Sequence, residues 1–345
     1  MADKTRLRDV AEAAGVSLST ASLVLSDQGR IAPDTRTRVL EAALKLGYRQ
    51  KRKKEEERRA TGRMDIAILL DIDPEWSIVL TLIRPIIQEF ERTVGIAGFN
   101  TILIPISRSD SDGQIAEKVR ASGAIGVATI HFTSPDLILL LEAAGIPVVI
   151  VMNSSHQDRF YTVCVDDFQG AYEGASFLLR SGHHEIGFLE CERKGLPILP
   201  VDRFFGFKKA MEEFTVPFDE AMHGRLPATE EESATDWIEG YLRAGKGMTA
   251  LFALDDELAI RVITVASRIG IRVPQDLSII APGDMLDYSL CYVPPITTMR
   301  IDTTYMGRIS AQMMLNRITH NPLELHVLKV KQLLVKRGSV GTPRS

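Results

Sequence analysis

Apolar residues recur at helical spacing near the start of the chain. The first set lies on one face of a short helix and consists of Leu7, Val10, Ala11 and Ala14. Gly15 is predicted to end this helix, because glycine adopts a left-handed cap without steric cost. Ser17 is a favourable N-cap for a second helix over 17–25, and a third helix is predicted over 33–46. This spacing is typical of a helix-turn-helix unit, and a plain three-helix bundle would show it too.

From residue 64 onward the pattern changes to short apolar runs that alternate with amphipathic stretches. This rhythm predicts parallel sheets covered by helices on both faces. The predicted strands are 66–70, 101–106, 125–129, 148–151, 162–165, 186–189, 250–253 and 278–280. The predicted helices include 79–93, 114–122, 168–180, 203–214, 232–244, 257–269 and 305–319. Because these strands are too many for one compact lobe, we expect an α/β core of two doubly wound parallel-sheet lobes, with a ligand held in the cleft between them.

The charge is distributed unevenly along the chain. Residues 1–63 contain 15 Lys and Arg against 9 Asp and Glu, a net charge of +6, whereas the remaining residues contain 26 against 36, a net charge of −10. A small basic head on a large acidic body indicates that the head binds nucleic acid. The segment 50–63, "QKRKKEEERRATGR", is almost entirely charged and is predicted to be a solvated spacer with i, i+4 ion pairs.

Several classes of protein are poorly supported by the sequence. The three cysteines are far apart, so neither a disulfide framework nor a zinc site is expected, and the paired His183 and His184 lack ligand partners at a set spacing. The chain shows no apolar leader and no membrane-span run, so a cytoplasmic protein is expected. "GYLRAGKG" over 240–247 has phosphate-loop spacing but lacks the final Ser or Thr and follows a helix. No enzyme activity, cofactor or metal is therefore expected.

The head resembles a known family of transcription regulators. "LRDVAEAAGVSLSTASLVLSD" with "TRTRVLEAALKLGY" is similar to the DNA-binding domain of the lactose-repressor (LacI/GalR) family. The resemblance implies that helix 17–25 enters the major groove of an operator. It places Leu18, Ser19 and Leu23 at base-reading positions, and it implies further DNA contacts from Thr5, Ser17, Thr20, Ser22, Arg30, Thr35 and Tyr48. Hydroxyl groups at such positions anchor phosphates without reading the base sequence.

The sequence departs from this family at two DNA-contacting positions. Leu23 stands where most members have Arg, so contact with a thymine methyl is expected there, with Ser19 and Arg30 as the polar contacts. The family's hinge helix inserts a leucine into the minor groove, and Glu57 occupies that position here. A carboxylate is unsuited to the base stack, so the spacer is expected to act as a charged tether.

The resemblance continues through the core. "VCVDDFQGAYEGASFLLRSGHHEIGFL", "DRFFGF", "DDELAI…GIRVPQDLSII" and "CYVPPITTMRID" are similar to the family's effector-binding core, which is akin to periplasmic sugar-binding proteins. The implied domains are a head at 1–49, the linker at 50–63 and a core at 64–345. One lobe of the core comprises about 64–165 with 303–328, and the other comprises 166–302 with 329–345.

The resemblance also implies an effector site in the core. Its residues would be Asp71, Trp76, Arg108, Asn153, Arg203 and Asp255. Their chemistry suits a polyol, since Arg can donate to two hydroxyl oxygens and an indole ring can cover a sugar face. Structural roles are the alternatives: a salt bridge for Arg203, packing for Trp76, and helix caps for Asp71 and Asp255.

The sequence departs from the family at this site. Gly283 stands where the family often has an effector-binding aspartate, and Asp255 replaces the usual asparagine. A less hydroxylated or cationic effector is therefore an alternative to a sugar. The sequence thus predicts a ligand-responsive, homodimeric, DNA-binding transcription regulator, most simply a repressor, in which effector and operator binding are coupled. The alternatives are a plain solute-binding protein and a nucleotide-dependent enzyme.

Overall fold

The computed structural model describes residues 6–25, 31–46, 48, 64–71, 79–107, 109–131, 134–192, 201–228, 231–245, 247–284, 294–320 and 324–344. The chain forms two compact units, and it passes between them three times. The first unit is Met1–Cys164 with Thr303–Leu328, and the second is Val165–Asp302 with Lys329–Ser345. The head belongs to the first unit, so that unit consists of the head and the first lobe.

The head contains the three predicted helices, which are α1 (Leu7–Ala13), α2 (Leu18–Leu25) and α3 (Pro33–Lys45). Their inward positions are those of the apolar pattern: Val10, Ala21, Val39, Leu40 and Ala43 are fully buried. The side chains are short, so the three helices can approach one another closely. The outer side of α3 packs against a helix of the first lobe.

The first lobe is built on a six-stranded sheet. Its strands are β1 (Asp65–Asp71), β2 (Asn100–Ile106), β3 (Gly126–Ile130), β4 (Val148–Val151), β5 (Thr162–Val165) and β11 (Val327–Val330), in the order β11-β5-β4-β3-β1-β2. The neighbouring pairs from β2 to β5 are parallel. Its helices are α4 (Val79–Ile96), α5 (Asp112–Ser122), α6 (Pro135–Ala143) and α11 (Thr303–Thr319). Gly307 lets α11 approach α4 closely, since a β-carbon there would lie 2.4 Å from the Ile86 carbonyl oxygen.

The second lobe repeats this plan. Its strands are β6 (Ile186–Cys191), β7 (His223–Leu226), β8 (Ala250–Ala253), β9 (Ser278–Gly283), β10 (Thr297–Arg300) and β12 (Leu333–Val335), in the order β12-β10-β9-β8-β6-β7. All neighbours are parallel except β12, which runs antiparallel to β10. Its helices are α7 (Asp167–Arg180), α8 (Val201–Glu213), α9 (Glu231–Ala244) and α10 (Asp256–Arg268).

The predicted fold class is confirmed: both lobes are doubly wound, and every residue of central strands such as β3 and β8 is buried. All eight strands predicted from the apolar pattern are present, but strands β7, β10, β11 and β12 and helix α6 were not predicted from it. The sequence of β7, "HGRL", is too short and polar to show a strand pattern. The sequence of α6, "PDLILLLEA", has no polar face from which a helical period could be recognised. Within the described residues, no helix is long and apolar enough to cross a membrane.

Candidate functional site

The turn between α1 and α2 fixes the direction in which α2 leaves the head. Gly15 has a φ of 64°, the left-handed conformation expected of a glycine that ends a helix. Ser17 then caps α2, because its Oγ accepts a hydrogen bond from the backbone N–H of Thr20 at 3.1 Å. Both features were predicted from the sequence, and together they hold the first turn of α2 away from α1.

One side of α2 faces the solvent, and we call it the recognition surface. It consists of Ser17, Leu18, Ser19, Ser22 and Leu23, all of which are exposed. Leu18 is 52% exposed and Leu23 is 38% exposed, whereas Ala21, Val24 and Leu25 on the opposite side are buried. The predicted base-reading residues Leu18, Ser19 and Leu23 therefore lie together on one exposed side of α2.

Three hydroxyl groups of this region bond to one another. Ser17 Oγ lies 2.8 Å from Ser19 Oγ and 2.8 Å from Thr20 Oγ1. A hydroxyl both donates and accepts, so each of these groups can exchange its present partner for a phosphate oxygen. The two remaining predicted contacts that the structure describes, Thr35 and Tyr48, are half-buried. Burial raises the pKa of the Tyr48 phenol, so it stays protonated and able to donate at neutral pH.

In the second lobe, Arg203 lies near the carboxyl edge of the sheet. Its Nε donates to Asp167 Oδ1 at 2.8 Å, and its Nη1 donates to the carbonyl oxygen of Leu254 at 2.5 Å. The side chain is 13% exposed. These bonds hold the guanidinium plane between the start of α7 and the end of β8. The salt bridge that was the structural alternative to an effector-binding role for Arg203 is thus present. The two bonds use two of the five N–H groups of the guanidinium.

Asp255 follows Leu254 directly and caps α10. Its Oδ1 accepts a hydrogen bond from the backbone N–H of Leu258 at 2.9 Å, which is the cap considered as its alternative role. The next residue, Asp256, is fully buried. A β-carbon at Gly283 would lie 2.7 to 2.9 Å from the carboxylate of Asp256. The buried carboxylate therefore leaves space only for glycine where an effector-binding aspartate was considered.

In the first lobe, the two predicted residues that the structure describes lie at the ends of β1 and β4. Asp71 is the last residue of β1 and is half-buried. Asn153 is 4% exposed and ties two loops together: its Nδ2 donates to the His131 carbonyl oxygen at 2.8 Å, and its Oδ1 accepts from the Ser155 N–H at 2.9 Å. Its amide therefore holds the edge of the sheet in place.

Sequence reasoning missed several residues at these edges. His131 and Met152 follow β3 and β4 with φ values of 60° and 65°, a conformation that side chains other than glycine rarely adopt and that is concentrated at functional sites. Asp167 was missed as the partner of Arg203, although "VDDF" places it at the start of a helix. Glu190, near the end of β6, is 5% exposed and accepts hydrogen bonds from Arg225 at 2.8 Å and from His223 at 3.2 Å.

Some predicted residues lie outside the described part of the chain. They are Thr5, Arg30, Glu57, Trp76 and Arg108. Among the residues that are described, no group of three or more His, Cys, Asp or Glu side chains could hold a metal ion. The ring of His183 is buried and bonded to Thr249 Oγ1 and to the Gly341 carbonyl oxygen, each at 3.0 Å. Its role is therefore structural.

Comparison with known proteins relates both parts of the chain to one family. Residues 6–51 match the family model "Bacterial regulatory proteins, lacI family", and residues 175–340 match a periplasmic binding protein-like domain. The HTH-type transcriptional regulator DegA of Bacillus subtilis is 30% identical over 318 residues, which cover 88% of each chain. The HTH-type transcriptional repressor PurR of Pectobacterium atrosepticum is 28% identical, with 97% of this chain and 96% of that protein covered.

Solved structures that resemble this chain include members of the same family. A LacI family transcriptional regulator from Enterococcus faecium with bound ribose is 25% identical and superposes with a TM-score of 0.66. The match covers 81% of this chain and all of the other. The relatives align with 88% to 97% of this chain, and they confirm the family resemblance that the sequence showed.

Proposed function

Because the chain belongs to the LacI family of bacterial regulatory proteins, and is accordingly a ligand-responsive, DNA-binding transcription regulator, we propose that it represses transcription from an operator that it binds as a homodimer. It works in the cytoplasm and catalyses no reaction. The repressor assignment is supported by the similarity to PurR of Pectobacterium atrosepticum, an HTH-type transcriptional repressor. The effector changes the affinity for the operator through a coupling free energy, and operator binding changes the affinity for the effector equally.

The recognition surface on α2 is the observation that carries DNA binding. It combines hydroxyl groups, which suit phosphates, with two exposed leucines, which suit thymine methyl groups in the major groove. The basic head supplies the electrostatic attraction, since residues 1–63 have a net charge of +6 while the whole chain has −4.

DNA binding is tested by gel shift with a duplex from the protein's own promoter at several salt concentrations. A head that neutralises Z phosphates should lose affinity with a log-log slope of about −0.9Z. Ser19→Asp places a carboxylate on the recognition surface and should abolish the shift. Ser233→Asp is the matched control, because it places the same charge in the first turn of the exposed helix α9 and should leave binding intact. Salt-independent affinity, or equal behaviour of the two variants, would disprove the assignment.

We further propose a sugar-like effector for the core. Support comes from the ribose bound by the Enterococcus faecium relative and from the polar groups at the sheet edges, which are Asp71, Asn153, Arg203 and Asp255, with Trp76 and Arg108 added from the sequence. A panel of pentoses and hexoses, beginning with ribose, is screened by thermal shift. A ligand present at 100 times its Kd should stabilise the protein by about 2.7 kcal/mol.

A further inference from the structure

Helix α6 of the first lobe is apolar on every side. Leu137, Ile138, Leu139, Leu140 and Leu141 are consecutive, and none is more than 4% exposed. A helix that covers one face of a sheet buries a single stripe and normally turns polar residues outward. Five buried residues in a row span more than one helical turn, so α6 must be covered on its outer side as well as against the sheet.

The cover is supplied by the head. Helix α3 packs against α6, and the buried apolar residues of the head, of α5 and of α6 form one continuous cluster. This cluster joins head residues such as Leu40 and Ala42 to lobe residues such as Leu137 and Leu141. The head is therefore seated on the lobe through an apolar contact.

Charged groups frame this contact. Glu41 on α3 accepts a hydrogen bond from Arg159, which lies in the segment between β4 and β5, with Oε1 and Nη2 2.6 Å apart. Arg36, one turn earlier on α3, lies close enough to Asp112 to influence its ionisation: burial raises the pKa of Asp112, and the Arg36 charge acts against that rise. Thus the charge of Arg36 in the head acts on Asp112 in the lobe, and Glu41 in the head pairs with Arg159 in the lobe.

We propose that α6 with Asp112 and Arg159 is a docking site for the chain's own head, and that docking competes with operator binding. Thr35 is a predicted phosphate contact, and it lies in the same turn of α3 as Arg36. While the head is docked, Thr35 and Arg36 are both half-buried, and the Arg36 Nε is shielded from solvent. The inference rests on the proposed DNA-binding function, since the docked head must be released before α3 can lie along a DNA backbone.

The docked state is expected to be only slightly favoured. Both members of the Glu41–Arg159 pair are well exposed, at 51% and 39% of their side-chain area, and exposed pairs contribute little. A tethered head nevertheless meets its docking site at high effective concentration. The cost of undocking should therefore weaken operator binding several-fold without preventing it.

Hydrogen exchange of the full-length protein, with and without the promoter duplex, tests the docking. If the head leaves α6 when it binds DNA, the amides of residues 136–143 should exchange faster in the complex, while amides of α2 exchange more slowly. Unchanged exchange across α6 in a complex that protects α2 would overturn the proposal.

A charge reversal on the lobe separates docking from DNA binding. Arg159→Glu should speed exchange of α6 in the absence of DNA and tighten operator binding about two- to fivefold. Its added negative charge would otherwise weaken DNA binding, so tighter binding cannot arise from net charge. Arg268→Glu, an exposed site at the end of α10, makes the same charge change and should alter neither readout.

Rescue completes the test. Adding Glu41→Arg to Arg159→Glu restores an opposite-charge pair and should return α6 to slow exchange, which is read without DNA because Glu41→Arg also makes the head more basic. Failure of this rescue, or exchange at α6 that is insensitive to Arg159→Glu, would refute docking. If no duplex is bound by any variant, the proposed function fails, whereas the exchange measurements without DNA still decide whether the head docks.

Discussion

Gly283 shows how one buried carboxylate determines the residue opposite it. Its φ of 137° is accessible to glycine and strained for any other residue, and its missing β-carbon makes room for the carboxylate of Asp256. Asp256 is fully buried at the start of α10. The glycine is thus a consequence of packing in the second lobe, and it removes a side chain from the carboxyl edge of the sheet.

Gly283→Ala should lower the free energy of unfolding by about 1–3 kcal/mol, because it adds both backbone strain and a collision with Asp256. Urea denaturation followed by circular dichroism measures this change. Gly240→Ala is the matched control, since Gly240 lies within α9 with open space around it and should gain about 0.5–1 kcal/mol. If the urea midpoint of Gly283→Ala shifted in the same direction and by the same amount as that of Gly240→Ala, the surroundings of Gly283 would accommodate a β-carbon and the prediction would be wrong.

At this scale the sequence predicts residues whose role follows from their own chemistry. Gly15 and Ser17 end and start helices as expected, because a left-handed glycine and a capping hydroxyl act within three residues of the chain. His131 and Met152 could not be predicted, since their left-handed conformations are imposed by the surrounding lobe and nothing in a histidine or methionine indicates them.

At the scale of elements, the turn between α7 and β6 is tied to two distant segments by His183. Its Nδ1 meets Thr249 at the start of β8, and its Nε2 meets the carbonyl oxygen of Gly341 near the end of the chain, so Nε2 carries the proton that is donated to Gly341. Burial lowers the pKa of His183 below its usual 6.5, with the Gly341 hydrogen bond opposing that shift. The folded state therefore favours the neutral ring.

The protein should lose stability in acid through this histidine. Well above pH 6.5 the ring is neutral in both the folded and the unfolded state. As the pH falls below 6.5, the unfolded chain takes up the proton first, because the pKa of His183 is lower in the folded state. The free energy of unfolding therefore decreases until the pH is below the pKa of the folded state. Tm values between pH 7.5 and 5.5 measure this. His183→Gln should reduce the slope and cost about 1 kcal/mol at pH 7.5 through a lost hydrogen bond. The charge of the exposed neighbour His184 is a smaller cause of the lowered pKa of His183, so His184→Gln should change the slope less than His183→Gln does.

Helices and strands with a one-sided apolar pattern were predictable, and those without one were not. The eight predicted strands are short apolar runs between polar turns, which is why they were located. Helix α6 escaped prediction because the head covers its outer side and removes the polar stripe that would have revealed a helical period. The missing pattern was itself the signal of a second partner.

At the scale of the whole molecule, the two lobes share one strand order. The head belongs to the same unit as the first lobe, whereas Arg203 belongs to the second lobe. Those predicted effector residues that the structure describes, Asp71, Asn153, Arg203 and Asp255, lie at or near carboxyl edges of parallel strands, where doubly wound sheets bind their ligands. A regulator of this type must transmit a change at those edges to the head. The identity of the effector depends on side-chain contacts that no local pattern encodes, so the sequence predicts its place better than its chemistry.

Arg203→Ala should remove the response to the effector and leave operator affinity within about twofold of the wild type. The guanidinium can donate several hydrogen bonds to a ligand, so its removal should weaken effector binding. The head that binds the operator belongs to the other unit, so operator affinity should change little. Fluorescence anisotropy of a labelled operator is measured with and without the sugar identified by thermal shift. Arg243→Ala, on the exposed side of α9, should keep the full response. A normal response in Arg203→Ala would assign this arginine to its salt bridge with Asp167 alone.

The three passages of the chain between the lobes also bear on how the protein is made. Helix α11, which packs against α4 in the first lobe, and strand β11 at the edge of its sheet are both synthesised after nearly the whole second lobe. At about 5–20 residues per second, roughly ten to thirty seconds separate residue 164 from residue 328 on the ribosome. During that interval the nascent first lobe presents an unfinished sheet edge and the uncovered α4. Newly made chains are therefore most exposed to chaperones and proteases until α11 and β11 have been synthesised.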